Sequence, residues 1–96
     1  MRAYVVFQEI LHDQKTFDTY RKDVMPTLAP YEGRFLVRGG GFTVLEGSWP
    51  YERTVVIEFP SRDKAEAWYH SLAYQKILPL RLKSMTCNAI IVDGVD

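Results

Sequence analysis

A guanidinium that can hold an oxyanion and carboxylate or imidazole groups that can move a proton are present in Arg38, Glu58, Glu9 and His12. Arg38 could clamp a carboxylate through its planar fork, while Glu58 or His12 could act as general base once burial and neighbours bring its pKa near the working pH. These groups meet only if their strands are suitably ordered. The expected order makes the first and third strands parallel neighbours, so that Glu9 and then His12 end at the same edge as Glu58. Charges at strand ends also form solvated or structural bridges, and that reading stands beside the functional one.

Three glycines, Gly39 to Gly41, interrupt the alternating stretch "RFLVRGGGFTVLEG". A phosphate cradle requires a strand that passes through glycine into a helix. Here a second strand-like run follows, with neither G-x-G-x-x-G nor a Lys-Ser or Lys-Thr pair behind the glycines. A three-residue hairpin would pair 34–38 with 42–46. The preferred reading is a bulge in one long bent strand, with Val44 opposite Val56 and Phe42 near Glu58, because glycine tolerates positive φ. Backbone at Gly39 and Gly40 then approaches a ligand held by Arg38 and Glu9, and Gly40 is the position expected to reject valine.

Other reactive residues lack partners. His12 and His70 show no metal-ligand spacing, so no metal or other cofactor is expected. Cys87 stands alone in a predicted strand without a neighbouring histidine or basic residue, which reads as inert packing. Trp49, before Pro50 in a predicted loop, reads as a packed turn aromatic, with a pocket or dimer contact as the alternative.

The elements that position these residues follow from periodicity. Residues 2–10 alternate as a strand with Tyr4, Val6 and Ile10 on one side and Ala3, Val5 and Phe7 on the other. Asp13 caps a helix carrying Phe17, Tyr20, Val24 and Leu28 that Pro26 is expected to kink or end. Strands are expected over 34–38, over 42–46 as its continuation, and over 53–59. Ser61 caps a helix with Ala65, Trp68, Tyr69 and Leu72 on one face. A helical stretch near 73–83 containing Pro79 and a strand over 85–92 complete the chain. Strand, helix, two strands, helix and strand make an α+β, ferredoxin-like βαββαβ unit: a four-stranded antiparallel-type sheet with helices on one face. Both strand faces are apolar, so the uncovered face is expected to meet its counterpart in a homodimer.

The 96 residues fit a single domain, 1–96, of a size that often gains stability by pairing. Twelve basic residues balance twelve acidic ones and the pI is about 6.7, which leaves no basic stripe for nucleic acid or an anionic membrane. With no long apolar segment and one cysteine, the expected location is the cytoplasm.

The segments "YEGRFLVRGG", "VLEGSW", "RTVVIEFPS", "AWYHS" and "LPLR" occur in an order that resembles DUF1330, a family of uncharacterised bacterial proteins. The resemblance runs over almost the whole chain and is most specific in 31–71. Gln14 and Ala73 stand where Pro and Glu are typical, Phe17 replaces tyrosine, and Gly41 lengthens a glycine pair. What the resemblance implies is a dimeric α+β barrel, two ferredoxin-like subunits packed sheet against sheet, with no established chemistry. The wider superfamily includes cofactor-independent monooxygenases, haem-degrading enzymes and lactone isomerases, a fold-level analogy only. The expected function is a homodimer binding a small molecule, extending to a cofactor-independent enzyme of monooxygenase or isomerase type acting on a small organic acid or aromatic compound. The alternative is a non-catalytic dimeric interaction module.

Overall fold

The computed structural model describes residues 1–96. Strands β1 (Ala3–Leu11), β2 (Arg34–Arg38), β3 (Arg53–Phe59) and β4 (Met85–Asp93) form one sheet in the order β2-β3-β1-β4. Helices α1 (Gln14–Leu28), α2 (Arg62–His70) and α3 (Leu72–Ser84) form the remaining layer. Every neighbouring strand pair is antiparallel, including β1 with β3. The expected parallel pairing of those two is therefore wrong, for a simple reason. The connection from β2 to β3 reverses the chain, so β3 runs against both β2 and β1.

Local sequence accounts for the helix starts. The Asp13 carboxylate accepts the Thr16 N–H at 3.1 Å and the Thr16 hydroxyl at 2.7 Å, satisfying a donor left free in the first turn. That bonding also holds the Asp13 carboxyl below its ordinary pKa. Ser61 accepts from Lys64 N–H and Ser71 from Tyr74 N–H, each at 3.2 Å. Ser71 thus starts a new helix, and Leu72 is exposed in its first turn instead of continuing the buried face of α2. Pro26 lies in the last turn of α1, which runs on to Leu28 and a short 3₁₀ turn, Ala29–Tyr31.

The core lies between helices and sheet. Val5 and Phe7 from β1 and Val55, Ile57 and Phe59 from β3 form one cluster with Phe17, Tyr20, Val24 and Leu28 of α1. Trp68 is fully buried, its ring 5.4 Å from that of Phe59 and 4.2 Å from that of Tyr74. Its Nε1–H donates to Thr27 Oγ1 at 2.9 Å, so the large side chain is buried without stranding its polar atom.

The opposite sheet face carries no helix. Val37 opposes Val56, Val56 opposes Val6, and Val6 opposes Ile90, which places four β-branched side chains in one row across all four strands. Residues 42–46, expected to continue β2, instead belong to the irregular segment between β2 and β3. Its Phe42, Val44, Leu45 and Trp49 are all exposed, so strand-like alternation there does not reflect ladder pairing.

Candidate functional site

Glu9 breaks the apolar inner face of β1. Alternation that buries Ala3, Val5 and Phe7 buries position 9 as well, and Glu9 is only 3% exposed. A carboxylate so placed needs a partner. The register puts Arg53 opposite it, and Arg53 Nε donates to Glu9 Oε1 at 3.1 Å. The Arg53 guanidinium also lies 4.9 Å from the centre of the Phe17 ring. One strand away, Arg38 lies 4.1 Å from the centre of the Phe35 ring and its Nη2 reaches the Arg21 carbonyl at 3.4 Å.

These residues line a cleft between α1 and the β2 end of the sheet, with Tyr20 and Val24 on its helical side and Phe7, Val55 and Ile57 on its floor. It has room for about one water-sized group, about 20 Å³, and its free space including the open mouth is about 310 Å³. Charge in the cleft is unbalanced. Arg21, Arg38 and Arg53 line it with one carboxylate, Glu9. Burial, followed by repulsion from Arg21, depresses the Arg38 pKa. An anion entering here relieves that repulsion, and the aromatic rings flanking the two guanidiniums suit a flat or apolar body behind the anionic group.

The residues named from sequence divide between two faces of the sheet. Arg38 and Glu9 line the cleft. Glu58 opposes Tyr4 and Arg34 near the other end of β1, accepts from Arg34 Nε at 2.8 Å and lies 3.8 Å from Arg2 Nε. It alternates with the buried Ile57 and Phe59 and so faces away from the cleft. His12 lies beyond β1, where its ring Nε2 meets Thr86 Oγ1 at 2.6 Å and its backbone N–H donates to the Ser84 carbonyl at 2.8 Å. The expected convergence of Arg38, Glu58 and His12 is thus absent, because it depended on parallel β1 and β3.

The glycine expectation is corrected as well. Pairing of β2 with β3 shifts between Phe35 and Val37, so the irregularity precedes the glycines, and Val56 faces Val37 where Val44 was expected. Gly39 alone of the three has positive φ, +76°, and its N–H donates to the Thr54 carbonyl at 2.9 Å. A β-carbon there would lie 2.3 Å from Arg53 Nη1. Gly40 and Gly41 face open space and border a separate space of about 420 Å³ formed with Val37, Phe42 and Trp49. Sequence reasoning passed over Arg53, Phe17 and Tyr20 as site residues. Glu9 in phase with an apolar face was the available signal, and the register of β3 supplies its partner. No group of three or more His, Cys, Asp or Glu side chains is arranged to hold a metal ion, and no helix is long and apolar enough to cross a membrane.

The family model described as Domain of unknown function (DUF1330) matches residues 2–95. The chain belongs to the DUF1330 family. No curated protein matches this DUF1330 chain. Its fold is similar to that of a protein of unknown function from Rhodopseudomonas palustris, with TM-score 0.80 and 13% identity over 99% of this chain and 83% of the other. A dimeric ferredoxin-like protein of unknown function from Jannaschia sp. CCS1 gives TM-score 0.73 and 13% identity over 98% and 100% of the two chains. SnoaB, a cofactor-independent oxygenase from Streptomyces nogalater, gives 0.66 and 10% identity over 99% and 94%. At these identities the likeness establishes the ferredoxin-like α+β fold of the DUF1330 protein and nothing of its chemistry.

Proposed function

We propose that residues 1–96 act as one cytoplasmic domain that pairs with a second copy through the bare sheet face, each subunit binding a small organic anion in the Arg38–Arg53 cleft. The cleft itself carries the ligand reading: three guanidiniums and one carboxylate surround a narrow, ring-lined space. Pairing is supported by the row Val37, Val56, Val6 and Ile90, which no helix of the same chain covers and which only Trp49 of the β2–β3 segment approaches, and by the Jannaschia protein of like fold being described as dimeric.

An enzymatic extension follows from the same charges. Fixed donors around one oxygen stabilise an enolate or phenolate as well as a carboxylate, and cofactor-independent chemistry on a small aromatic or carbonyl compound can start from such an anion. The fold shared with SnoaB agrees with that extension without identifying a substrate. A dimeric interaction module is the second reading, favoured by the segment between β2 and β3, where Leu45 is 91% exposed beside Phe42, Val44 and Trp49.

A thermal-stabilisation series separates the two. Small aromatic and aliphatic carboxylates raise the apparent Tm by mass action if the cleft is an anion site, and matched primary amides raise it less. No shift for either would remove the ligand reading and leave the interaction module, and equal shifts for acids and amides would remove its requirement for an anion.

A further inference from the structure

Three buried side chains behind the cleft form a hydrogen-bonded series. Arg81, on α3 and only 2% exposed, donates from Nε to the Tyr74 hydroxyl at 3.0 Å, and Tyr74 Oη lies 2.9 Å from Tyr20 Oη. Arg81 has no carboxylate partner. Its other contacts are Cys87 Sγ, 2.9 Å from Nη1, and the face of Phe7, 4.8 Å from Cζ to the ring centre.

Counting protons gives the series a direction. A guanidinium only donates, so the Tyr74 oxygen accepts from Arg81. If Tyr20 also donated to Tyr74, the Tyr74 hydrogen would have no acceptor in a fully buried position, which costs the desolvation of that group. If Tyr74 donates to Tyr20 instead, both of its bonds are made and the leftover proton is that of Tyr20. Tyr20 borders the cleft, which has room for about one water-sized group. The guanidinium, with no carboxylate beside it, polarises the hydroxyls in that same direction.

We propose that Tyr20 is the hydrogen-bond donor that selects the ligand, giving its proton to an acceptor oxygen of a carboxylate, enolate or carbonyl group, with its direction set by Arg81 through Tyr74. The proposal rests on the reading of the cleft as an anion site and adds the group that recognises the ligand oxygen. Tyr74 and Arg81 touch no ligand in this scheme and are positioning residues.

The direction is testable without ligand by NMR of ¹³C-labelled tyrosines in the full chain. The Tyr74 hydroxyl proton is expected to exchange slowly and to show Overhauser contacts to the Tyr20 ring, while the Tyr20 hydroxyl proton exchanges with water. A protected Tyr20 proton beside an exchanging Tyr74 proton would overturn the proposal. Benzoate supplies the second arm: it should slow exchange of the Tyr20 hydroxyl, and Tyr20→Phe should weaken its binding about tenfold or more. Tyr74→Phe should weaken binding less, since the Tyr20 hydroxyl survives. Benzoate binding that depends on Arg38 but is unchanged by Tyr20→Phe overturns the role of Tyr20 alone. Absence of benzoate-induced shifts at Phe17 and Phe35 removes the cleft reading, and the Tyr20 role with it.

Discussion

Gly39 packs against Arg53 so closely that a β-carbon at position 39 would lie 2.3 Å from Nη1 and 2.6 Å from Cζ. The guanidinium can move aside only by leaving its place beside Glu9 and Phe17, and a non-glycine residue at φ +76° is itself strained. Gly39→Ala is therefore expected to destabilise the fold by about 1–3 kcal/mol. Gly40→Ala, facing open space at an ordinary φ, should change stability little. Urea denaturation of the two variants checks the contrast, and equal midpoints would show that the backbone at 39 relaxes freely.

The position of that glycine marks the boundary between what local sequence determines in this fold and what it does not. Helix starts were legible because Asp13 and Ser61 stand three residues before the N–H groups they cap. The two-sided strands were legible because alternation along β1 matches its observed burial. Pairing register was not, since Val44 and Val37 are both apolar and either could face Val56 by composition alone. Half of the candidate site fell with that register: Arg38 and Glu9 share the cleft, whereas Glu58 and His12 were drawn to it by a strand direction the connection between β2 and β3 forbids. Which glycine carries the positive φ depends on where β2 ends, a tertiary fact no local pattern contains.

The Glu9–Arg53 pair gives a second expectation. Arg53→Met keeps the apolar stem over Phe17 but leaves the Glu9 carboxylate buried without its partner, a change that typically costs about 3–5 kcal/mol. Glu9→Gln keeps a neutral acceptor for Arg53, whose guanidinium retains some solvent, and should cost less. Chemical denaturation that ranks Glu9→Gln as the more damaging change would mean that Arg53, rather than Glu9, depends on the pair.

Alkaline pH should unfold the protein through its buried tyrosines. Burial, reinforced by Tyr74, raises the Tyr20 pKa well above the ordinary 10.0, and burial raises that of Tyr74 as well. Above pH 10 the unfolded chain releases these protons before the folded one does, so the stabilisation is fully present below pH 10 and declines as pH rises beyond it. Tyr20→Phe should flatten the decline of Tm between pH 10 and 11.5. An unchanged slope would show that other groups govern alkaline unfolding.

Pairing through the bare sheet predicts a change in mass without loss of fold. Ile90, 57% exposed at one end of the apolar row, makes little demand on the subunit interior. Ile90→Asp buries a carboxylate only if that face meets a second copy, where an unpaired charge is costly. Light scattering is expected to give a dimeric mass for the wild type at micromolar concentration and a monomeric mass for Ile90→Asp, with the far-UV spectrum preserved. A wild-type monomer would exclude the pairing, and a dimeric Ile90→Asp would move the interface elsewhere.

Arg38 and Arg34 share β2, yet they meet different surroundings, and that difference tests the cleft itself. Arg34 is bound to Glu58 on the bare sheet face, while Arg38 lines the cleft with Glu9, Phe35 and Arg53. If benzoate is held there, Arg38→Ala removes a charged hydrogen bond to the ligand and should weaken binding by about 1.5–3 kcal/mol. Arg34→Ala removes a similar charge from the same strand and should change affinity little beyond a screened long-range contribution. Repeating both titrations at 0.5 M salt separates contact from field, since a general attraction to positive charge fades for both variants while the direct contact of Arg38 persists. Equal losses for the two variants that vanish together in salt would reduce the cleft to a patch of positive potential without a defined ligand contact.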